Sequence, residues 1–449
     1  MKIAILMLAA FAPLVDAKTW KAGLASVDIS PTEPIYLNGY GNRTHPSTGV
    51  KQRLWAKALA LEDEKGKRVV IVTTDLLGMP GAVSDVIASR LARQSGLRRE
   101  QLMINSSHTH AAPMIEGNLA TMFDLNAAER LAIHNYTEKL KDQMVDVVTK
   151  AIAELKPAHI ALGHGKAGFA INRRVLAKTG AYAIGTNPQG PIDHDVPVLR
   201  ITSLDGKLLG ALFGYTCHNT TMGGDIYEAH GDYAGFAQQA FEKEHPGAMG
   251  MFFIQCAGDQ NPNPRGKFEQ AEQYGKELAG AASSVIAGKM QELNGPLRAS
   301  LRMGELNFKL HTRETFEEEL KDKLPARVRR AQYMLELYDR RQPMRGTPYP
   351  VQAIRFGKQW TLVALSGEVV IDYQIRIKKE FAGEDTTVAG YSNDVMCYIP
   401  SLRVLKEGGY EADSSMIYYG KPGPFAESVE DSVMATVYKV LADVGRKRK

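Results

Sequence analysis

The stretch "KRVVIVTTDLLGMPGAVSDVIASRLARQSGLRREQLMINSSHTH", Lys67 to His110, decides the fold class. It opens on a β-branched apolar run that ends at Asp75, takes helical spacing from Ala82 to Ser95, and returns to a second apolar run in "QLMINSS". Strand, helix and strand in succession are the pattern of an α/β protein, where helices cover a sheet. A further helix is predicted around Ala127 to Leu155, and further strands at "VPVLRIT", "KLLGALFGYT", "GMFFIQC" and "WTLVALSG". The expected fold is a large single α/β domain with a mixed β-sheet flanked by helices. In such folds reactive residues gather just beyond strand ends, so chemistry is to be sought in the polar segments that follow each run.

The whole chain limits the alternatives. Its 449 residues are 44% hydrophobic and 23% charged, the balance of an ordinary folded protein. Lys and Arg exceed Asp and Glu by only 55 to 50, with the basic residues scattered, so no nucleic-acid partner is expected. The one basic cluster, "GRKRK" at 445–449, reads as a solvated helix end. "MKIAILMLAAFAPLVDAKTW" has a Lys, an apolar run from Ile3 to Leu14 and a small-residue site at Ala17, which reads as a signal peptide over residues 1–17. Export to a periplasm or the medium follows, with a catalytic domain over residues 18–449. No later run reaches the ~20 apolar residues of a membrane-spanning helix. The three cysteines, Cys217, Cys256 and Cys397, allow at most one internal disulfide. Leu320, Leu324, Val328, Ala331, Leu335 and Tyr338 predict an amphipathic helix, and Val429, Val433, Val437, Leu441 and Val444 a final one.

Four segments could carry chemistry. His108 and His110 in "SSHTHAAP" stand at a strand end, where the chain can bend and aim either imidazole at a metal; an isolated H-x-H is equally read as a surface turn. His218 follows an apolar strand among Asn, Thr and Gly, with Asp232 further on in "HGDYAG". "AGDQNPN", Ala257 to Asn263, puts polar residues after a buried strand, where a plain turn is the alternative. Asp193, His194 and Asp195 are adjacent, and neighbours on a strand face opposite ways, so they read as a strand entry.

Together these segments resemble the neutral ceramidase family, zinc-dependent amidases that hydrolyse the N-acyl bond of ceramide. The matching pieces, in family order, are "AGLASVDISPTEPIYLNGYG", "RLWAKALAL", "VVIVTTDLLGM", "SSHTHAAP", "INRRV", "CHNTTM", "HGDYAG", "AGDQNPN", "LSGE" and "YIPS" followed by "GGYEA". The resemblance implies one zinc per chain held by His108, His218, Glu368 and Tyr398. It implies His110 as polar partner of the reacting amide, and Arg173 and Tyr410 as groups acting on the transition state. Two neutral imidazoles and one carboxylate leave zinc with net positive charge, which lowers the pKa of its water toward ~7. The chain departs from the family at Asn261, which stands where ceramidases carry a serine with a catalytic role. An asparagine cannot serve as nucleophile, although its amide can position water or a carbonyl. Direct attack by zinc-bound hydroxide is therefore the expected route. The segment between Arg265 and Val351 does not match, so the family's specificity is not carried over, and no C-terminal immunoglobulin-like domain is expected after the last helix.

The expectation is an exported zinc-dependent hydrolase of a small-molecule or lipid-like N-acyl amide. The alternatives are an esterase, a deacylase of an N-acyl sugar or amino acid, and a zinc-stabilised binding protein without catalysis.

Overall fold

Along the strand Trp55–Glu62, Ala56, Ala58 and Ala60 enter one core while Leu59 and Leu61 enter another. The next strand, Arg68–Thr74, divides in the same way, Val70 and Val72 to one side, Val69 and Ile71 to the other. Successive side chains of a strand point to opposite faces, so a run that is apolar at every position must be covered on both. The computed structural model, which describes residues 20–448, shows what covers each face; the leader read at 1–17 lies outside the described residues.

These strands belong to a nine-stranded mixed sheet. Its order is Met249–Ile254, Leu208–Tyr215, Asp195–Ser203, Lys156–Lys166, Trp20–Asp28, Trp55–Glu62, Arg68–Thr74 and Leu102–Ser106, with Gln291–Glu292 paired to Lys156–Lys166. Only the two outermost pairings are parallel. One face carries the helices Gly81–Ser95 and Ala127–Ala153 at one end and Asp232–Glu244 and Phe268–Ala287 at the other. The opposite face packs on a second sheet, Leu297–Asn307, Gly346–Phe356, Trp360–Leu365 and Asp385–Ala389. In that sheet Trp360, Leu362 and Ala364 face the large sheet, while Val363 and Leu365 face the helices Ile371–Glu380 and Val429–Asp443. The expected mixed sheet flanked by helices is present, and a second sheet lies inside it, making four layers: helices, sheet, sheet, helices.

The sheets are joined where their strands end. Asn105 is fully buried, and its amide acts as a piece of strand. Its Oδ1 accepts from the Ile254 amide at 2.9 Å, and its Nδ2 donates to the carbonyls of Ile254 at 3.2 Å and Gly390 at 2.8 Å. One side chain thus ties the outermost strands of the large sheet to the end of the small one.

Two sequence readings are corrected. The amphipathic helix expected from Leu320 is two helices, Arg313–Glu319 and Pro325–Asp339. Asp322 accepts from the Leu324 amide, and Pro325, which has no N–H to contribute, opens the second helix, leaving Leu320 and Leu324 exposed in the turn between. The basic tail is not all solvated: Arg446 is buried, its guanidinium on Glu384 at 2.9 Å and on Thr386 Oγ1 at 2.9 Å. All three cysteines are free and buried, in keeping with a count that allows at most one disulfide. The reading of Asp193 to Asp195 as a strand entry agrees with their bonds, since both carboxylates take Lys378 at 2.9 Å and His194 lies 3.0 Å from the Ala170 carbonyl. Among the described residues no helix is long and apolar enough to cross a membrane.

Two stability predictions follow from the joints between layers. Asn105→Ala removes the side-chain partner of both the Ile254 amide and the Ile254 carbonyl, while the Gly390 carbonyl keeps Ser392 Oγ at 2.7 Å, and should cost about 3 kcal/mol in chemical denaturation, each unsatisfied buried group contributing ~1–3 kcal/mol; a loss below about 1 kcal/mol would show that the edges do not need it. His164 links the sheets, with Nδ1 on Asp195 at 2.9 Å and Nε2 on Asp385 at 2.7 Å. Burial opposes its charge, but the two carboxylates outweigh that and raise it from 6.5 to about 10. Lys378, which also takes Asp193, shares Asp195 with His164. The bonus of the imidazolium is therefore complete below 6.5 and disappears as the pH rises through about 10. His164→Gln should be less stable than the parent by about 1 kcal/mol near neutral pH, the solvent-screened size of such a pair. That gap should close toward pH 10; a gap that is flat with pH contradicts the assignment.

Candidate metal centre

His108 is set by the backbone after the strand Leu102–Ser106. Its amide donates to the Leu76 carbonyl at 2.9 Å, and its φ of 66° lies in the left-handed region, costly for any residue with a Cβ. That turn places Nδ1 2.6 Å from the Leu77 carbonyl, an atom that can only accept. In the neutral ring the proton must therefore sit on Nδ1, which leaves the lone pair on Nε2. His218, after the strand Leu208–Tyr215, repeats the arrangement with Nδ1 2.6 Å from the Ala257 carbonyl.

Both Nε2 atoms converge on Oε2 of Glu368, at 3.0 Å from His108 and 3.1 Å from His218. Glu368 comes from the second sheet, at the turn after Trp360–Leu365. Gly367 makes that turn possible: its φ is 79°, and a Cβ there would lie 2.6 Å from Ile399 Cγ1. Glu368–Val369 then pairs in parallel with Tyr398–Ile399, with Glu368 opposite Tyr398. The Tyr398 hydroxyl lies 3.2 Å from His218 Nε2. His110 completes the group, with Nε2 3.1 Å from Nε2 of His108.

Two nitrogen lone pairs aimed at one carboxylate oxygen, all three residues at most 2% exposed, repel unless a positive charge lies among them. An imidazolium is disfavoured at His218, because burial, and then the charge of Arg173, lower it to about 3. Burial and the neighbouring imidazoles likewise push His110 well below the usual histidine range. A divalent cation resolves the repulsion. Ligand atoms around a tetrahedral ion with bonds of about 2.0–2.1 Å lie about 3.3 Å apart, close to the separations here. The donor set fits such an ion.

A buried cationic group stands beside this cluster. Arg173, on the strand Ala170–Leu176, donates Nη2 to the Tyr398 hydroxyl at 3.0 Å, Nη1 to Asn261 Oδ1 at 3.3 Å and Nε to Glu411 at 2.7 Å. The other oxygen of Glu411 takes Arg174 at 2.6 Å. Tyr410 stacks edge-on to Tyr398, with ring centroids 5.4 Å apart, and burial raises its phenol, so it remains a donor at neutral pH. Asn261 Oδ1 also accepts from Thr220 Oγ1 at 3.2 Å. Arginine can only donate, so the oxygen of Asn261 must face it, and Nδ2 is left as the available donor.

All eight residues singled out in the sequence thus meet in one cluster: His108, His110, Arg173, His218, Asn261, Glu368, Tyr398 and Tyr410. Arg173 lies behind Tyr398 and Asn261 rather than at the open side. Sequence reading missed Tyr419, whose hydroxyl bonds Oε1 of Glu368, Glu411, which anchors Arg173, and Tyr391, packed 4.5 Å from the His108 ring. Glu411 had a signal, since it follows Tyr410 directly in "GGYEA"; Tyr419 had none. Asp259 of "AGDQNPN" is a loop organiser, accepting from the Ile371 amide at 2.9 Å and Asn172 at 2.9 Å.

The profile of the neutral/alkaline non-lysosomal ceramidase family, N-terminal part, matches residues 20–303. The chain belongs to this family. Among its ceramidase relatives, the neutral ceramidase of Pseudomonas aeruginosa is 25% identical over 307 residues, 64% of this chain and 45% of that protein. That of Drosophila melanogaster is 27% identical over 287 residues, 59% of this chain and 39% of that protein. That of Mycobacterium tuberculosis is 23% identical over 461 residues, 84% of this chain and 71% of that protein. The chain thus spans less than half the length of the first two. The crystal structure of the Pseudomonas neutral ceramidase superposes with a TM-score of 0.73 at 20% identity, covering 95% of this chain and 75% of that one, which establishes a shared fold. The family match contains His108, His110, Arg173, His218 and Asn261; Glu368, Tyr398 and Tyr410 lie beyond its end, the first two on the paired strands Glu368–Val369 and Tyr398–Ile399.

Among the described residues Glu411 is the sole carboxylate bonded to Arg173, so Glu411→Ala leaves a buried guanidinium without an ion-pair partner. It should lower stability by about 3–5 kcal/mol in urea denaturation. A loss under about 1 kcal/mol would mean that water reaches Arg173.

Proposed function

We propose that the chain is a zinc-dependent hydrolase of an N-acyl amide, joining water to the acyl carbonyl and releasing a carboxylic acid and an amine. What carries this reading is the meeting of two imidazole lone pairs on one buried carboxylate oxygen, in a chain of the ceramidase family. His108, His218 and Glu368 would hold the ion, with Tyr398 at the fourth side. A zinc ion so held supplies a Lewis acid that acidifies water and polarises a carbonyl.

The chain's own residues orient the substrate. Asn261, its oxygen fixed by Arg173 and Thr220, offers Nδ2 to the amide oxygen. Tyr410 offers a protonated phenol to the same developing charge. His110, neutral at neutral pH, holds the reacting amide from the other side and can take up a proton at Nε2 and return it to the departing nitrogen. Arg173 spends its donors on Tyr398, Asn261 and Glu411, so it is a positioning residue.

The test is a panel on the zinc-loaded protein: short- and long-chain ceramides, N-acyl amino acids, an N-acetyl sugar and an acyl ester. Release of acid and amine from at least one N-acyl amide is expected, with kcat reduced about 10²–10³-fold in Tyr410→Phe and Asn261→Ala, the usual loss for a removed oxyanion donor. Turnover confined to the ester would replace amide hydrolysis by ester hydrolysis. Zinc bound with no turnover of any member would make the chain a metal-stabilised binding protein.

A further inference from the structure

Arg43 lies outside the cluster described above and is bound in an unusual way. It ends the segment "LNGYGNR", Leu37 to Arg43, and is only 3% exposed. Its Nη1 donates to the carbonyls of His110 at 2.8 Å, Asn38 at 2.9 Å and Leu37 at 3.3 Å, and its Nη2 to that of Ile226 at 3.1 Å. None of these four acceptors is a carboxylate. A guanidinium buried on carbonyls alone is costly, and burial lowers Arg43 to about 10. It stays charged at neutral pH, with Tyr40, Tyr227 and Asp225 opposing the effect of burial and the carbonyls of three separate segments on its fork. One planar fork reaches all three, which a single ammonium cannot do.

The same segment grips the His110 ring. Tyr40 lies between the two residues, its ring 5.3 Å from Arg43 Cζ and 4.8 Å from the His110 ring centroid, with its hydroxyl donating to the Met222 carbonyl at 2.7 Å. Gly39 passes under the imidazole at φ 99°, where a Cβ would lie 2.6 Å from His110 Cγ. The Asn38 amide donates to the Ala112 carbonyl at 2.9 Å, tying the segment to the far side of the same turn.

We infer that Arg43 is a positioning residue for His110: by holding the His110 carbonyl together with Asn38 and Ile226, it fixes the imidazole against Tyr40 and Gly39 so that Nε2 faces the centre. His108, two residues earlier, is anchored independently through Leu76 and Leu77. Loss of Arg43 therefore loosens His110 and leaves the ion's ligands in place. The kinetic consequence rests on the hydrolase reading above; the structural one does not.

The test uses the zinc-loaded full chain in the variants Arg43→Met, Arg43→Lys, His110→Ala and Arg43→Met with His110→Ala. On the best N-acyl amide of the panel, Arg43→Met should lower kcat about 100-fold, as misplacement by about 1 Å does, with zinc content unchanged. In the His110→Ala background the same substitution should change kcat by less than about threefold, because a residue that acts through His110 has nothing left to act on. Equal losses in both backgrounds would overturn the inference. The second readout needs no substrate: in protein labelled with 15N-histidine, the ring signal that vanishes in His110→Ala should move or broaden in Arg43→Met, while that of His164 stays. A stationary His110 signal in folded protein would equally overturn it. If Arg43→Met does not fold, Arg43→Lys carries both measurements, and a lysine variant with wild-type kcat and an unmoved signal refutes the role. If the parent protein turns over no amide, the hydrolase reading fails by itself and the ring signal alone decides Arg43.

Discussion

Oε2 of Glu368 stands between the Nε2 atoms of His108 and His218, and most of the architecture can be read as the means of holding that contact. The two histidines end strands of one sheet, and the carboxylate ends a strand of the other. The contact exists only when the sheets are docked face to face with their strand ends in line. Asn105 secures that alignment with an amide that bonds both. Each imidazole is fixed by a carbonyl on its other nitrogen, which sets the tautomer before any ion arrives. The repulsion among the three acceptors is thus built into the fold, and a cation bound among them would remove it.

Around this point charge is layered. Glu368 faces the centre, Arg173 stands behind Tyr398, and Glu411 stands behind Arg173 with Arg174 on its far oxygen. Each buried charge has an opposite or hydrogen-bonding neighbour, so none is left to the low-dielectric interior alone. Arg43 is bonded to backbone carbonyls alone, and it lies beneath His110, which unlike His108 and His218 has no ring nitrogen bonded to a carbonyl. The imidazoles of His108 and His218 are held by backbone carbonyls on their own rings, while that of His110 rests on Tyr40, with Arg43 on its carbonyl.

Much of this was legible in the sequence, and the parts that were not have a common cause. Strands such as "RVVIVTT" and the helix from Ala127 were readable because periodicity and length differ between the two kinds of element. The second sheet was not: a run apolar at every position announces that both faces are covered without saying by what. His108 and His218 were findable because imidazoles after apolar strands, among small residues, are unusual. Tyr419 and Arg43 were invisible because their partners are a carboxylate 51 residues away and backbone carbonyls, which leave no local pattern. Arg446 misled because its guanidinium meets Glu384 only in the folded chain. The break before Pro325 could have been seen, since proline belongs in the first turn of a helix and not in its middle.

The claim on which the account stands is that these ligands hold a zinc ion, and metal content tests it without any assumption about substrate. Elemental analysis of protein purified without chelator, beside His108→Ala and Glu368→Gln, should find one zinc per chain in the parent and none in either variant, with His110→Ala retaining its zinc. Parent protein without stoichiometric metal, or variants that keep it, would contradict the assignment and with it the mechanism built around Glu368.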